Sequence, residues 1–494
     1  MRYIGVDLGT SAAKLLLMEE DGTLVKSVSR EYPLRMPRPG WSEQDPADWE
    51  REVFLGIRQL LEGEDPEKVE GIGVGGQMHG LVALDEEGRV LRPAILWNDG
   101  RTGEESDWLN EVFRADRLAA LTGNISFAGF TAPKLLWMKK HESALFARIR
   151  RIMLPKDYLV WRLTGVHSAD PSDASGMLLF DVEHRRWSRE MLELCSLREE
   201  QMGRVFESSE VVGTLTAEAA ERTGLSRKVQ VVAGAGDNAA AAVGTGTVGN
   251  GLCNISVGTS GTIFLAGDEF VNPQNHAIHS FCHADGGWHL MGVELSAAAC
   301  NQWWSDVLRT RDYAGEQAEI TAEKLGRNRV LWLPYLMGER TPHNDALARG
   351  AFLGMSMDST RADLTQAVLE GVAFGLKDGL LAMGEPGRRL RRSRICGGGA
   401  KSPLWRTILA SVLGLELDLL AAEEGPALGG AMLAAVGCGA YGTVEEAAGH
   451  IVRTVDTVEP ETNLIERYAE RYALWREVYP RLRELFPRLT PERD

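Results

Sequence analysis

Gly5-Val6-Asp7-Leu8-Gly9-Thr10-Ser11 opens the chain, and a second glycine-threonine-serine turn, Val257-Gly258-Thr259-Ser260-Gly261, follows an apolar run about half a chain later. In each, β-prone residues (Tyr3, Ile4 and Val6; Ile255 and Val257) lead into small residues whose amides can approach a polyanion. Strand-like residues then resume, Leu15-Leu16-Leu17 and Ile263-Phe264-Leu265. Strand, turn, strand is a hairpin, whereas the Walker-type loop and the dinucleotide fingerprint both place phosphate at a helix N-terminus. A single such turn is ordinary turn chemistry. Two at matching places, the first with an Asp in its strand, predict a duplicated nucleotide clamp.

A chain of 494 residues exceeds what one core usually supports, so the turns are expected to head two α/β domains, 1–245 and 246–494, with a boundary loop near 244–251. The net charge of −16 argues against a nucleic-acid surface. The densest basic spot, Arg388-Arg389 and Arg391-Arg392, reads as a solvated helix end or loop. A polyanionic substrate in so acidic a chain has to be met locally, by backbone amides and a divalent cation. Six cysteines without a C-x-x-C pair read as reduced, mostly buried thiols of a cytoplasmic protein, and no basic, apolar leader precedes the first strand. The longest uncharged stretch, 425–444, carries six glycines and reads as a buried helix with its exit loop.

The first thirty residues read as a three-strand meander, 3–7, 13–18 and 24–29, and a further strand is expected at 80–84. Helical patterns cover 132–141 and 188–195; 229–233 is a β-branched run, and the alanine-rich 238–243 a closely packed helix. The second half repeats the strand-rich opening, then predicts helices at 362–382 and 404–413, a strand at 394–396 and one closing amphipathic helix at 464–486. No low-complexity linker separates the halves, so they are expected to pack directly and hinge at short segments.

Asp7 lies beside the first turn, where a carboxylate next to phosphate makes sense only with a cation between them; it is expected to hold Mg²⁺ through water. Thr10 and Ser11 offer donors to phosphate oxygens, and Lys14 a point charge. Gly234-Ala235-Gly236-Asp237-Asn238 puts an acid at a strand's carboxyl end among glycines. Asp237 is either a helix N-cap or a general base for phosphoryl transfer, and the glycines favour the base. Gly75-Gly76-Gln77-Met78-His79-Gly80 supplies amide and imidazole at a glycine-loosened spot, suiting a polyhydroxylated ligand. Cys396-Gly397-Gly398-Gly399-Ala400-Lys401-Ser402 lets a flat base lie against backbone, with Ser402 either capping the next helix or contacting that base. Gly244-x-Gly246-x-x-Gly249 follows a helix and precedes a strand, the reverse of a dinucleotide site. No histidine pair has metal-ligand spacing.

Together these residues resemble the FGGY family of carbohydrate kinases, within the actin, sugar kinase and Hsp70 ATPase superfamily. Gly129 to His141 is similar to that family's first signature and Gly350 to Gly371 to its second. Trp41 to Pro46, Gln77 to Gly80, Ile95 to Arg101, Leu154 to Tyr158, His279 to His283 and Gly338 to Asn344 resemble its bacterial xylulokinase branch. The resemblance implies two ribonuclease H-like domains around a cleft, an N-terminal sugar-binding and a C-terminal nucleotide-binding domain. It implies ATP-dependent phosphorylation of D-xylulose to D-xylulose 5-phosphate in pentose catabolism, with ATP and Mg²⁺ required and a homodimer as the family expectation. It makes Asp237 the proton acceptor and Met78-His79 the pair on the ketose, with Gln77, Asn238, Trp97 and Arg101 as further sugar-site candidates. Asp7 falls on the acidic position near Mg²⁺, Gly258 and Thr259 on the second phosphate turn, and Gly398, Gly399 and Ala400 on the adenosine segment. Ala235 stands in a run that is more commonly all glycine, and the roles of Lys14, Arg101 and Arg340 stay open. The alternatives are a sister kinase acting on ribulose, another pentulose or a polyol, and an actin- or Hsp70-like ATPase scaffold.

Overall fold

The computed structural model describes residues 1–273, 275–421 and 425–489. Two seven-stranded sheets carry it. The first is built from β1 (Arg2–Leu8), β2 (Ala12–Glu19), β3 (Leu24–Glu31), β4 (Val69–Gly76), β5 (Val211–Thr214), β6 (Gln230–Val232) and β7 (Ala235–Gly236). Its order is β5-β6-β4-β1-β2-β3, with β7 continuing beside β4. The second contains β8 (Cys253–Val257), β9 (Gly261–Gly267), β10 (His279–Cys282), β11 (Trp288–Glu294), β12 (Arg392–Cys396), β13 (Glu416–Leu420) and β14 (Thr454–Val458), in the order β10-β11-β9-β8-β12-β13-β14.

The duplication inferred from the two turns is a duplication of topology. In the first sheet β1 is antiparallel to β2 and parallel to β4. In the second β8 is antiparallel to β9 and parallel to β12. Each glycine-threonine-serine turn therefore joins the first two strands of its meander, at the carboxyl end of a central strand. The parallel central strands are almost wholly buried, as strands covered on both faces must be.

Nine helices matter for the site: α1 (Pro46–Leu60), α2 (Thr131–His141), α3 (Pro155–Thr164), α4 (Asp237–Gly244), α5 (Ala298–Leu308), α6 (Arg361–Ala382), α7 (Pro403–Leu413), α8 (Gly425–Gly437) and α9 (Thr462–Trp475). On one face of the first sheet α1 covers β2 and β3, and α3 covers β4. The other face is covered from the far end of the chain: α8 lies on β1 and β4 and packs along α4. These backbones touch because side chains are missing. A Cβ on Gly5 would stand 1.8 Å from the Ala427 carbonyl oxygen, and one on Gly429 1.8 Å from that of Ala240. Helix α4 reaches the second sheet as well, where Ala242 packs on Phe264 and Ala266 of β9.

The halves meet a second time at the edge of the second sheet. Asn124 Nδ2 donates to the Ser280 carbonyl (2.8 Å), the Cys282 amide to Ser175 Oγ (3.0 Å), and Trp288 of β11 through Nε1 to the Val182 carbonyl (2.8 Å). The halves thus pack directly, without a linker. Cys195, Cys253, Cys282 and Cys300 are buried, and Cys396 and Cys438 partly so.

Two elements differ from the sequence expectation. The closing helix is not continuous over 464–486; it stops at Trp475, and short helices follow at Val478–Leu482 and Phe486–Leu489. Pro480 and Pro487 cannot donate to the preceding turn and clash with its carbonyls, which divides the pattern. The strand expected at 80–84 is only Val82–Leu84, because His79 takes a left-handed φ of 69° and the Gly80 amide turns back to the Met78 carbonyl (2.9 Å). Among the described residues no helix is long and apolar enough to cross a membrane.

Candidate active site

Both turns present amides because other groups occupy their carbonyls. In the first, Tyr32 Oη (2.5 Å) and Gln77 Nε2 (3.2 Å) donate to the Gly9 carbonyl, and Gln44 Nε2 donates to that of Thr10 (2.6 Å). Trp97, half exposed, donates through Nε1 to Thr10 Oγ1 (2.9 Å). In the second, the amides of Ala298 and Ala297, where α5 begins, donate to the carbonyls of Gly258 (2.8 Å) and Thr259 (3.0 Å). With carbonyls drawn back, such a turn favours an anion.

The strand ends converge. Asp7 pairs across β4 with Gly75, which pairs with Ala235 of β7, and Lys14, exposed, stands opposite Asp7 on β2. Asp7 and Asp237 therefore lie at the carboxyl ends of β1 and β7, the strands on either side of β4, where ligands of open α/β sheets bind. Asp237 opens α4, and its Oδ1 accepts from the Asn238 amide (2.7 Å) and Asn238 Nδ2 (2.9 Å). Burial raises its pKa to about 6, against the pull of those two hydrogen bonds. Gly234, at φ 75°, makes the turn possible: a Cβ there would stand 2.0 Å from the Val74 carbonyl oxygen.

A buried ionic cluster supports this turn. Lys156 Nζ contacts Asp157 Oδ1 (2.5 Å), Asp170 Oδ1 (2.9 Å) and the Ala233 carbonyl (3.1 Å). Burial opposes the charge on Lys156, but Asp157, Asp170 and Asp173 outweigh it and raise its pKa. Ser172 Oγ donates to Asp170 Oδ2 (2.6 Å) and accepts from the Gly236 amide (3.1 Å), which ties the cluster to the Asp237 turn.

Met78 and His79 face the space beside that turn. A Cβ on Gly236 would stand 3.0 Å from Met78 Cγ. His79 Nδ1 donates to the Gly176 carbonyl (2.7 Å), leaving Nε2 as an acceptor, and burial pushes its pKa down to about 3. Its strained backbone is held by Lys134 Nζ (2.8 Å) and Thr131 Oγ1 (3.0 Å), both donating to its carbonyl. Phe130 stacks on its ring at 4.3 Å, and His279 and Phe281 of β10 extend the aromatic wall from the other half. Arg340 closes that wall, its guanidinium 4.6 Å from the Phe127 ring and 3.5 Å from His279 Nε2.

In the C-terminal half, Gly398, Gly399 and Ser402 line a cavity of about 660 Å³ together with Asn301, Tyr313 and Gln317. Ser402 Oγ accepts from the Trp405 amide (3.1 Å), the N-cap of α7, and donates to Gln317 Oε1 (2.5 Å). Ala400 is buried behind this loop.

The N-terminal domain of the FGGY family of carbohydrate kinases matches residues 2–244, and its C-terminal domain matches residues 253–438. The chain belongs to the FGGY family of carbohydrate kinases. This kinase is 43% identical over 441 residues to the xylulose kinase of Escherichia coli (strain K12), covering 88% of this chain and 90% of that one. It is similar to a crystal structure of a xyloylose kinase from Brucella ovis, with a TM-score of 0.93 and 41% identity over 98% of this chain and 100% of that one. A gluconate kinase from Lactobacillus acidophilus, 24% identical, shares the fold with a TM-score of 0.94 over 99% of both chains. The family makes the enzyme an ATP-dependent carbohydrate kinase.

The structure of this kinase separates the sugar-site candidates. Met78 lies by Gly236, next to Asp237, and with His79 it borders Gly176, whereas Gln77 donates to the Gly9 carbonyl and Trp97 to Thr10 Oγ1. Arg101 is enclosed: it pairs with Asp99 and Glu43 and its guanidinium lies 3.7 Å from the Trp41 ring. The sequence alone does not single out Lys134, Lys156 or the wall of His279 and Phe281, although each lies in a stretch that carries the family resemblance.

Proposed function

We propose that this kinase transfers the γ-phosphoryl group of ATP to the terminal hydroxyl of D-xylulose, giving D-xylulose 5-phosphate and ADP. The observation that carries the reading is Asp237, a carboxylate of raised pKa held by Asn238 at the end of β7, across β4 from Asp7 and beside Met78. Phosphoryl transfer asks little covalent chemistry of the protein, chiefly an oriented hydroxyl whose proton has an acceptor. Asp237 takes that proton, and a pKa of about 6 keeps it ionised at neutral pH while making it a stronger base than an ordinary Asp. The amides of the two turns bind phosphate oxygens, and the cavity beside Gly398 and Tyr313 takes the adenosine.

Asp7 fits a hydrated cation: it offers one carboxylate at a strand end beside an anion-binding turn, the donor set that suits Mg²⁺ retaining much of its water. Mg²⁺ held there supplies charge neutralisation for the phosphates. The resemblance to xylulose kinases supports the ketose, and the shared fold of the gluconate kinase shows why fold alone does not choose the acceptor. The test is ADP release with Mg-ATP and D-xylulose, D-ribulose, L-ribulose, glycerol or gluconate. A strong preference for D-xylulose is expected; preference for another compound refutes the acceptor assignment.

A further inference from the structure

We infer that Arg340, reaching the acceptor space from the C-terminal half, positions the carbonyl end of the open-chain ketose and so contributes to the choice of acceptor. This rests on the proposed ketose kinase reading. The argument is one of donors and acceptors. The hydroxyls of a ketose can donate or accept, but its carbonyl oxygen only accepts, so a buried site must give it an N–H or O–H.

Most of the nitrogen donors on the other side of the space are committed. Lys134 Nζ is bound by the carbonyls of His79 (2.8 Å) and Gly129 (2.7 Å). Asn238 Nδ2 is bound by Asp237 (2.9 Å), and the ring N–H of His79 by Gly176 (2.7 Å). Toward a ligand these groups leave two acceptors, His79 Nε2 and the Asp237 carboxylate, and as donors only the second N–H of Asn238, beside Asp237, and the third of a charged Lys134.

Arg340 is the opposite case. Its guanidinium has no salt-bridge partner among the described residues, and its one side-chain hydrogen bond is a long one, from Nη1 to His279 Nε2 (3.5 Å). That nitrogen is an acceptor because Asn124 Nδ2 donates to Ser280, which turns Asn124 Oδ1 toward the His279 Nδ1–H (3.1 Å). The guanidinium lies over the Phe127 ring at 4.6 Å, and its single hydrogen bond leaves the other N–H groups to a ligand. Backbone contacts hold the segment: Glu339 Oε1 accepts from the amides of Arg340 (2.7 Å) and Leu295 (3.1 Å). A planar donor fork packed on an aromatic ring, with no carboxylate paired to it among the described residues, is suited to a carbonyl and its neighbouring hydroxyl.

The experiment compares wild type, Arg340→Lys and Arg340→Met in steady-state kinetics with D-xylulose, alongside ATP affinity and thermal unfolding. Wild type must first phosphorylate D-xylulose; failure there sinks the ketose reading itself. Given that activity, the inference expects Arg340→Met to raise the KM for D-xylulose about 10- to 100-fold, with ATP affinity unchanged. Arg340→Lys, which keeps charge but not the fork, is expected to lie between. An unchanged KM in both folded variants overturns the inference and leaves the ketose reading standing. Competition by D-xylonate that exceeds the affinity for D-xylulose and vanishes in Arg340→Met also overturns it, since the fork would then be reading a carboxylate.

Discussion

Asn238→Ala should move the acid limb of the pH profile without removing the base. The Asn238 side chain gives Asp237 Oδ1 one hydrogen bond of 2.9 Å, and the backbone amide of residue 238 gives a second that the substitution keeps. A hydrogen bond to a charged group contributes about 1.5–3 kcal/mol, and here only the ionised carboxylate receives it. At about 1.4 kcal/mol per pKa unit, its loss raises the carboxyl by about 1–2 units. The wild-type acid limb in kcat/KM for the ketose is expected near the Asp237 value of about 6. In Asn238→Ala it should therefore lie near 7–8 by the same conversion. The assay is kcat/KM for the ketose from pH 5 to 9 at saturating Mg-ATP, which reports the groups of the Mg-ATP-bound enzyme before the ketose binds. The position of the limb is the readout, because Asn238 also borders the ketose space and its loss lowers the height of the profile by itself. A folded variant whose limb stays in place would refute the reasoning, since Asp237 would then not be the group titrating.

The same carboxyl predicts a stability effect. Its pKa is raised from 3.8 to about 6, so the folded state holds the proton more tightly than the unfolded chain. Stability is lost as pH rises through that interval, and Asp237→Asn should be more stable than wild type at pH 8 by about 1–3 kcal/mol, with no gain at pH 4. Equal unfolding midpoints at pH 8 would count against the burial of that charge. Lys156→Met leaves Asp157, Asp170 and Asp173 without their cation and should cost about 3–5 kcal/mol in denaturant unfolding. Gly429→Ala places a methyl where the Ala240 carbonyl oxygen is 1.8 Å away and should cost about 1–3 kcal/mol, with slower turnover; a neutral effect would show that α4 and α8 separate freely.

The turns and meanders were legible because a strand, a small-residue turn and a strand are local, and their repetition is visible without any contact. The helix break after Trp475 was legible in principle, since Pro480 and Pro487 stand in the pattern, but the apolar periodicity concealed it. Gln77 shows the limit of proximity in sequence. It is next to Met78, yet it lies under Gly9 while Met78 lies by Gly236, because neighbouring residues leaving a strand point in opposite directions. Lys134 and Lys156 were not legible as supports, since their partners are backbone carbonyls and carboxylates that only the fold brings together. The contact of residue 5 with residue 427 left only a glycine at the approach, and a glycine does not name its neighbour.

That contact has a consequence for synthesis. The face of β1 and β4 that α8 covers cannot be closed until the ribosome has released residue 437, the last of that helix. At about 5–20 residues per second, the first strands of this chain wait roughly 20–90 s for the helix that buries them. During that interval a mixed sheet with one bare face is the species that chaperones and neighbouring nascent chains meet. The sheet of the N-terminal half, although first to emerge, is thus covered only when most of the C-terminal half has been made.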